Sequence, residues 1–350
     1  MRKTKGKITR KKEFPILEVS KTLKVLFLFF ILLIVAVLSI NYVYVHYILS
    51  KKLIMTQQES YTPQLEALRG KTLGIAFVGD SHTVFAANPH YINDSVNFAT
   101  NAENYVKTYY KLRNVVENYN VTIKTLVLEI DLQTFSGALT DDTNLMSDVW
   151  FYKKFISYND LSKIMNESIV NVWLDSNTPL FGKGNELIQY LSFIPQKSYN
   201  GWVESTDNFN TKDKEMLASK TYELLFNHQE RISQPSMNAF KNILYYAHNN
   251  NITLVFIRYP VTKEYLDMIK NNNISQEQYY DKVFSVINNV TTNYTFIDYS
   301  AIFVDHPEYF SDAHHLNVKG SEILSIKLYT VLNTLNVSNT HIISGENRIR

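Results

Sequence analysis

An uninterrupted apolar stretch near the N-terminus constrains this chain more than any other feature of its sequence. Residues 25–49 contain no Asp, Glu, Lys or Arg, and the letters from Val25 to Ile40 read VLFLFFILLIVAVLSI. About 20 apolar residues in a helix cross the roughly 30 Å hydrocarbon layer of a bilayer. The run is too long for a secretory signal peptide, and no small-x-small cleavage site follows it before Lys51 and Lys52. The sequence therefore predicts one transmembrane helix over residues 25–49.

The charges that flank this helix predict its orientation. Two basic residues follow the span closely, whereas nine precede it: Arg2, Lys3, Lys5, Lys7, Arg10, Lys11, Lys12, Lys21 and Lys24. Because basic residues favour the cytoplasmic side, residues 1–24 are predicted to form a cytoplasmic tail. Residues 53–70 are polar and are interpreted as a connecting stalk. The rest of the chain is expected to lie outside the cytoplasm, held by a single-pass anchor.

Composition excludes several kinds of function. The 350 residues carry a net charge of +2, from 35 basic and 33 acidic side chains, so there is no global case for nucleic-acid binding. The chain has no cysteine, which excludes disulfides, a cysteine nucleophile and thiolate metal sites. An apolar content of 45% predicts a folded domain with a sizeable core.

Short apolar runs that alternate with helical patterns predict an α/β domain over residues 71–338. The runs typical of buried strands are LGIAFV (73–78), TLVLEI (125–130), ITLVFI (252–257) and YTFIDY (294–299). Helices are predicted near 103–118, 237–247 and 318–335, which gives a parallel sheet with helices on both faces. Residues of about 136–235 lack this alternation and are interpreted as an insertion that covers one edge of the sheet. Residues 339–350 are interpreted as a polar tail.

Two loops of this domain hold residue types that suit nucleophilic catalysis. The first strand runs into Gly79-Asp80-Ser81-His82, which places a serine on a tight turn at the carboxyl end of a strand. Asp312 and His315 lie three residues apart between the last predicted strand and the last helix. A serine needs a base, and a histidine oriented by a carboxylate can serve as one. Taken singly, each motif is also typical of an ordinary turn or helix cap.

In this order the two motifs resemble the SGNH/GDSL hydrolase superfamily, and within it the membrane-anchored DltD-like branch. The resemblance spans roughly residues 72–335 and includes VGDSHTVFAANP (78–89), VNFATNAENYVKTYYKL (96–112), LVLEIDLQTFS (126–136) and YFSDAHHLNVKG (309–320). It implies an SGNH-type, flavodoxin-like fold. It also implies that Ser81 is the nucleophile, His315 the base and Asp312 the carboxylate that orients His315, and that no cofactor is needed.

Two departures from the superfamily pattern concern the oxyanion hole, to which the backbone of Ser81 would contribute. Ala102 stands at the position that best matches the glycine of the second block, where the backbone N–H would still be available. Glu129-Ile-Asp131-Leu-Gln133 replaces the expected Gly-x-Asn-Asp of the third block, so the asparagine donor is missing. Gln133 is a candidate substitute for that donor.

Three weaker candidates complete the predicted site. His82 could contact substrate or be a turn histidine satisfied by the backbone. Arg258, which follows a strand, could hold an anionic group or form a salt bridge within the fold. His314 and His315 beside Asp312 could ligate a metal, but adjacent residues rarely reach one ion, so no metal site is predicted.

The sequence thus predicts an extracytoplasmic acyl transferase or esterase that acts through an acyl-Ser81 intermediate. The expected acceptor is a cell-surface glycan or related envelope polymer. The acyl group is expected to come from an acyl donor or from a partner membrane acyltransferase. The alternative is a catalytically inactive scaffold that uses the same fold to bind a partner membrane protein or a glycan.

Overall fold

The computed structural model describes residues 16–43, 64–140, 152–153, 156–178, 198–209, 213–226, 232–272, 275–334 and 341–344. The N-terminal helix α1 covers Ile16–Val43. Its stretch Lys21–Val43 has a mean hydropathy of 3.0 and is long and apolar enough to cross a membrane. The apolar side chains of this stretch are exposed, so α1 is not a core helix of the domain. Residues 1–15 and 44–49, which belong to the predicted tail and span, lie outside the described residues.

A parallel sheet forms the centre of the folded domain. Its strands, together with those of a small hairpin (β4 and β5), are β1 Thr72–Val78, β2 Ser95–Asn97, β3 Thr122–Glu129, β4 Ser198–Tyr199, β5 Trp202–Val203, β6 Thr253–Arg258, β7 Tyr294–Asp298 and β8 His341–Ser344. In the sheet the order is β2-β1-β3-β6-β7-β8, and all neighbours are parallel. The part β2-β1-β3-β6-β7 has the doubly wound, flavodoxin-like strand order. The predicted fold class is therefore confirmed.

The core is densest on the three central strands, where side chains on both faces are buried. On one face Phe77, Val127 and Val255 lie in register and are each 0% exposed. On the other face Ala76 and Leu126 are 0% exposed and Leu254 is 2% exposed. A parallel sheet with helices on both faces needs such continuous apolar strands, which is why these runs were visible in the sequence. β2 has three residues, too few to leave a recognisable apolar run. The segment 339–350, interpreted from the sequence as a polar tail, contains β8, an edge strand that pairs only with β7.

Helices cover the sheet and build part of the insertion. They are α2 Ser81–Ala86, α3 Tyr105–Arg113, α4 Tyr158–Met165, α5 Ile169–Asn177, α6 Lys214–Phe226, α7 Gln234–Asn249, α8 Lys263–Asn271, α9 Gln276–Asn288 and α10 Val318–Thr334. The helix predicted at 103–118 starts at Tyr105 because Asn104 caps it by accepting a hydrogen bond from Lys107 N–H at 3.1 Å. It continues beyond Arg113 as one π-helical turn, Asn114–Asn118.

The stalk and the insertion have more regular structure than the sequence predicted. Residues 64–68 are helical and Leu65 is 1% exposed, so the end of the stalk packs on the domain. Residues 53–63 lie outside the described residues. Within the insertion, the side chain of Tyr152 is fully buried and Trp202 is 6% exposed, whereas Trp173 is 42% exposed. Three other aromatic residues of the insertion, Trp150, Phe151 and Tyr190, lie outside the described residues.

Candidate active site

The turn that carries Ser81 is shaped by the glycine before it. Gly79 follows β1, and a Cβ placed there would lie 2.3 Å from both Glu129 Oε2 and Thr83 Oγ1. Only a residue without a side chain fits this approach. Asp80 then caps α2, since its carboxylate accepts a hydrogen bond from His82 N–H at 2.8 Å. Ser81 is consequently the first residue of α2, half-buried at the carboxyl edge of the sheet.

The loop before α10 is folded around the carboxylate of Asp312. Its Oδ1 accepts hydrogen bonds from the backbone N–H groups of His314 and His315, each at 2.9 Å. Its Oδ2 lies 2.7 Å from His315 Nδ1. One carboxylate therefore sets both the loop conformation and the orientation of the His315 ring.

These two loops meet. His315 Nε2 lies 2.7 Å from Ser81 Oγ, although 234 positions separate the two residues in the chain. Burial acts to raise the pKa of Asp312, but the hydrogen bonds from His314 and His315 outweigh burial and hold the pKa well below its ordinary value. Asp312 is thus an anion at neutral pH, as the carboxylate partner of a histidine base must be.

His314 packs on the ring of His315, with 3.7 Å between ring centroids. It is 8% exposed, and its Nδ1 lies 3.1 Å from Asp312 Oδ1 without the alignment of a hydrogen bond. Burial and the neighbouring His315 lower the pKa of His314 to about 3. A neutral, buried ring beside His315 supports its position and adds no charge.

The structure places His82 beneath the site, not in contact with solvent. Its Nδ1 lies 2.7 Å from Asp131 Oδ2, and the ring is 2% exposed. Burial acts to lower the pKa of His82, but the hydrogen bond and charge of Asp131 outweigh burial and raise the pKa. Asp131 in turn accepts a hydrogen bond from Tyr259 N–H at 3.1 Å. The prediction that His82 contacts substrate is therefore not supported, and its partner is a carboxylate instead of the backbone.

Gln133 belongs to the same buried layer. Its amide Nε2 donates to Glu129 Oε1 at 3.2 Å and to Asp80 Oδ2 at 3.4 Å. Glu129 also accepts hydrogen bonds from Asp80 N–H at 2.9 Å and from the Thr83 hydroxyl at 2.7 Å. Burial and the carboxylates of Asp80 and Asp131 raise the pKa of Glu129 well above its ordinary value. Because the Gln133 amide is used by these carboxylates, the structure gives no support to Gln133 as an oxyanion donor.

Ala102 lies in an exposed turn next to the site. Its φ of +53° is in the left-handed region, where a glycine would be unstrained. Nearby, Thr100 N–H donates to Gly79 O at 3.4 Å, which places this loop against the Ser81 turn. The loop is braced by a buried ion pair between Glu103 and Lys111. Nothing in the sequence pattern had identified this pair as part of the site.

Arg258 forms a salt bridge within the fold. Its Nη1 lies 2.8 Å from Asp298 Oδ2, and its Nη2 donates to Gln276 Oε1 at 2.9 Å. The guanidinium also lies 4.4 Å from the ring centroid of Tyr280. With its side chain 11% exposed and these partners in place, Arg258 is not available to an anionic substrate, and the alternative role holds.

A segment of the insertion, residues 198–209, contacts the elements that carry the site, and we call it the strap. The Trp202 indole donates to Phe85 O at 3.0 Å, and Asn97 N–H donates to Asn200 O at 2.9 Å. Farther along, Val318 N–H donates to Ser205 O at 2.9 Å. The strap therefore joins α2, the end of β2 and the start of α10.

The fold also brings a third histidine to the two predicted beside Asp312. One ring nitrogen from each of His82, His314 and His315 lies within 4.8 Å of the others, and Asp80, His82 and Glu129 form a second such group. Most of these candidate ligands already have protein partners: Asp131 for His82, Ser81 for His315, the His82 N–H for Asp80 and the Thr83 hydroxyl for Glu129. His314 instead packs its ring on His315. We therefore assign His82, His315, Asp80 and Glu129 to the hydrogen-bond network of the site.

No family model and no curated protein matches this chain. Among solved structures, the chain is similar to a Streptococcus pneumoniae protein provisionally described as a platelet activating factor. The two are 11% identical with a TM-score of 0.36, and the match covers 79% of this chain and 92% of that chain. This likeness carries no argument about chemistry, so the function is argued from the geometry of the site.

Proposed function

We propose that this protein is a membrane-anchored serine acyl transferase or esterase whose folded domain acts outside the cytoplasm. Its proposed acceptor is a cell-surface glycan or related envelope polymer. The observation that carries the proposal is the alignment of three groups through two short contacts: His315 Nε2 with Ser81 Oγ, and His315 Nδ1 with Asp312 Oδ2, each 2.7 Å. Such an alignment suits a serine nucleophile, a base and the carboxylate that orients the base.

In the first half of the reaction, Ser81 Oγ attacks the acyl carbonyl carbon while His315 Nε2 takes the hydroxyl proton. The tetrahedral intermediate collapses when its bond to the leaving oxygen breaks, and His315 returns the proton to that oxygen. The product is an ester between the acyl group and Ser81. Asp312 stabilises the imidazolium that exists between these steps, because it stays ionised.

In the second half, His315 takes the proton of an acceptor hydroxyl, whose oxygen attacks the acyl-Ser81 carbonyl. The Ser81–acyl bond then breaks, and Ser81 Oγ recovers its proton from His315. The acceptor is a glycan hydroxyl in transfer and water in hydrolysis. We assign oxyanion stabilisation to the backbone N–H groups of Ser81 and Ala102, since Gln133 is bound to carboxylates beneath the site.

Two features favour transfer over hydrolysis. The apolar helix α1 would hold the site near a lipid-linked donor or a partner membrane acyltransferase, which raises the effective concentration of the donor. The strap contacts α2 through the hydrogen bond from the Trp202 indole to Phe85 O, and we propose that it restricts access of water to an acyl group on Ser81.

The proposal is tested by labelling the full chain, in detergent or in membranes, with a serine-reactive fluorophosphonate. We expect labelling of the native protein and of a Ser285→Ala control, which removes an exposed serine on α9, and no labelling of Ser81→Ala. Labelling that persists in Ser81→Ala would contradict the assignment of the nucleophile.

Kinetics with p-nitrophenyl acetate separate the roles within the triad. Ser81→Ala and His315→Ala should abolish the slow esterase activity that we expect. Asp312→Asn should keep residual activity, lower than that of the native protein by roughly a thousandfold or more, because the base remains but loses its orientation. Full activity of Asp312→Asn would remove Asp312 from the triad, and fast hydrolysis by the native protein would favour the esterase.

A scaffold without activity is the second candidate function. It is favoured by Gln133, whose amide is held by Glu129 and Asp80, so that no side-chain donor replaces the missing asparagine of the third block. In the labelling experiment, a native protein that does not react at all would support this candidate.

A further inference from the structure

A helix of the insertion exposes an apolar face that the proposed chemistry does not use. On α5, the side chains of Ile169, Val170, Trp173 and Leu174 are 50%, 66%, 42% and 44% exposed. At 3.6 residues per turn these four positions lie within an arc of about 140° on one side of the helix. Val172, at 0% exposure, is on the side that packs on the domain.

The helix α5 lies next to the apolar N-terminal helix. Within the described residues, α5 contacts α1. Asn41, near the end of α1 that precedes the folded domain, is 4% exposed, whereas apolar side chains earlier in α1, such as Phe27 at 68%, are exposed. The helix that carries the four exposed apolar residues therefore contacts α1, which is apolar enough to cross a membrane.

We infer that the exposed face of α5 inserts into the leaflet of the bilayer that faces the folded domain. The occupant is lipid, at the boundary between headgroups and acyl chains. This inference rests on the membrane anchor within the proposed function, and it is independent of the catalytic assignment.

The chemistry of the face fits this occupant. A contiguous set of Ile, Val, Trp and Leu side chains is the face that interfacial helices bury, and tryptophan is enriched where hydrocarbon meets headgroups. Val172 and Ser176 are buried against the domain on one flank of α5, and the exposed polar residues Asn171 and Asp175 lie opposite the apolar face. The helix can therefore lie in the plane of the membrane with its apolar face down. Attachment through both α1 and α5 would restrict rotation of the domain about α1 and hold one side of it towards the membrane.

The absence of cysteine from the chain makes a direct test possible. The full chain is reconstituted in phosphatidylcholine and phosphatidylglycerol vesicles, with single cysteines labelled by a nitrobenzoxadiazole fluorophore. Val170→Cys reports on the α5 face, and Leu174→Cys is a second position on it. Ile326→Cys, on α10 and 49% exposed, is the matched surface control, and Leu32→Cys, 58% exposed, reports on α1.

Doxyl-labelled phosphatidylcholine in the same vesicles quenches a fluorophore that is in contact with lipid. We expect quenching at Val170→Cys and Leu174→Cys to exceed that at Ile326→Cys by about twofold or more, with a blue-shifted emission. Lipid quenching at Leu32→Cys but at neither α5 position would overturn this inference and leave the anchor intact. A blue shift on α5 without lipid quenching would mean that protein covers the face, and would overturn the inference as well. Loss of quenching at all positions would overturn the anchor together with it.

Discussion

Replacement of Gly201 by alanine tests whether the strap protects an acyl group on Ser81. Gly201 has a φ of +89°, and an alanine Cβ would lie 1.6 Å from the carbonyl oxygen of Asn97. Because atoms in ordinary contact lie about 3.5 Å apart, the strap must move away by about 2 Å. Asn97 connects the strap to the Ser81 helix, since its N–H donates to Asn200 O at 2.9 Å and its Nδ2 donates to Thr83 O at 2.7 Å.

The size of the effect can be separated from the ordinary cost of alanine at positive φ. Gly70 has a φ of +71°, and a Cβ there would meet nothing within 4 Å, so Gly70→Ala carries the backbone cost alone. The clash and the weakened hydrogen bond from Asn97 should make Gly201→Ala less stable than Gly70→Ala by about 2 kcal/mol. Urea unfolding of both variants measures this difference in the free energy of unfolding.

The functional assay compares two fates of one acyl-enzyme. With p-nitrophenyl acetate as donor and glycerol as acceptor, the ratio of acetate released to acetylglycerol formed reports how well water is excluded. We expect this ratio to rise severalfold in Gly201→Ala and to stay at the native value in Gly70→Ala. A destabilised Gly201→Ala variant with an unchanged ratio would refute the protective role of the strap.

Three further predictions concern orientation, pH and packing. Protease added to intact cells should digest residues 53–350 and spare the N-terminal segment, and protection of the folded domain would contradict export. Because His314 has a pKa of about 3 when folded and 6.5 ordinarily, the unfolded chain takes up a proton below pH 6.5 that the folded protein does not. Stability should therefore fall below pH 6.5 by about 1.4 kcal/mol per pH unit from this group, and His314→Gln should show a correspondingly smaller slope in urea unfolding. Lys111→Met leaves Glu103 buried without its cation and should cost about 3–5 kcal/mol, much of which Lys111→Met with Glu103→Gln should restore; equal stability of single and double variants would contradict the ion pair.

The parts of the molecule that were predictable are those whose pattern is local. The strands beneath the site were visible as apolar runs because they are buried on both faces. The contacts between the Asp312 carboxylate and His315, which orient the His315 ring, join residues three positions apart and could be anticipated from the sequence. By contrast, β2 and β8 are too short to show a pattern, and they are recognised only by what they pair with.

The contacts that could not be predicted join distant segments through single polar residues. His82 is adjacent to the nucleophile in the sequence, which suggested contact with substrate, yet the fold turns its ring towards Asp131, 49 positions away. The sequence equally allowed two roles for Arg258, and its partner Asp298 lies opposite it on the neighbouring strand. For both residues the choice between substrate and scaffold depends on burial, and burial of a single polar side chain leaves no periodic pattern.

Two residues at which the sequence differs from the superfamily that it resembles, Glu129 and Gln133, share one physical consequence. Glu129, in the third block, lies where its carboxylate accepts hydrogen bonds from Asp80 N–H and Thr83, and it holds the turn that carries Ser81. Gln133 donates to the same carboxylate. The block that would supply an oxyanion donor thus serves to fix the nucleophile turn. In the proposed mechanism His315 still activates Ser81, while oxyanion stabilisation depends on backbone donors, so we expect slow turnover of simple esters.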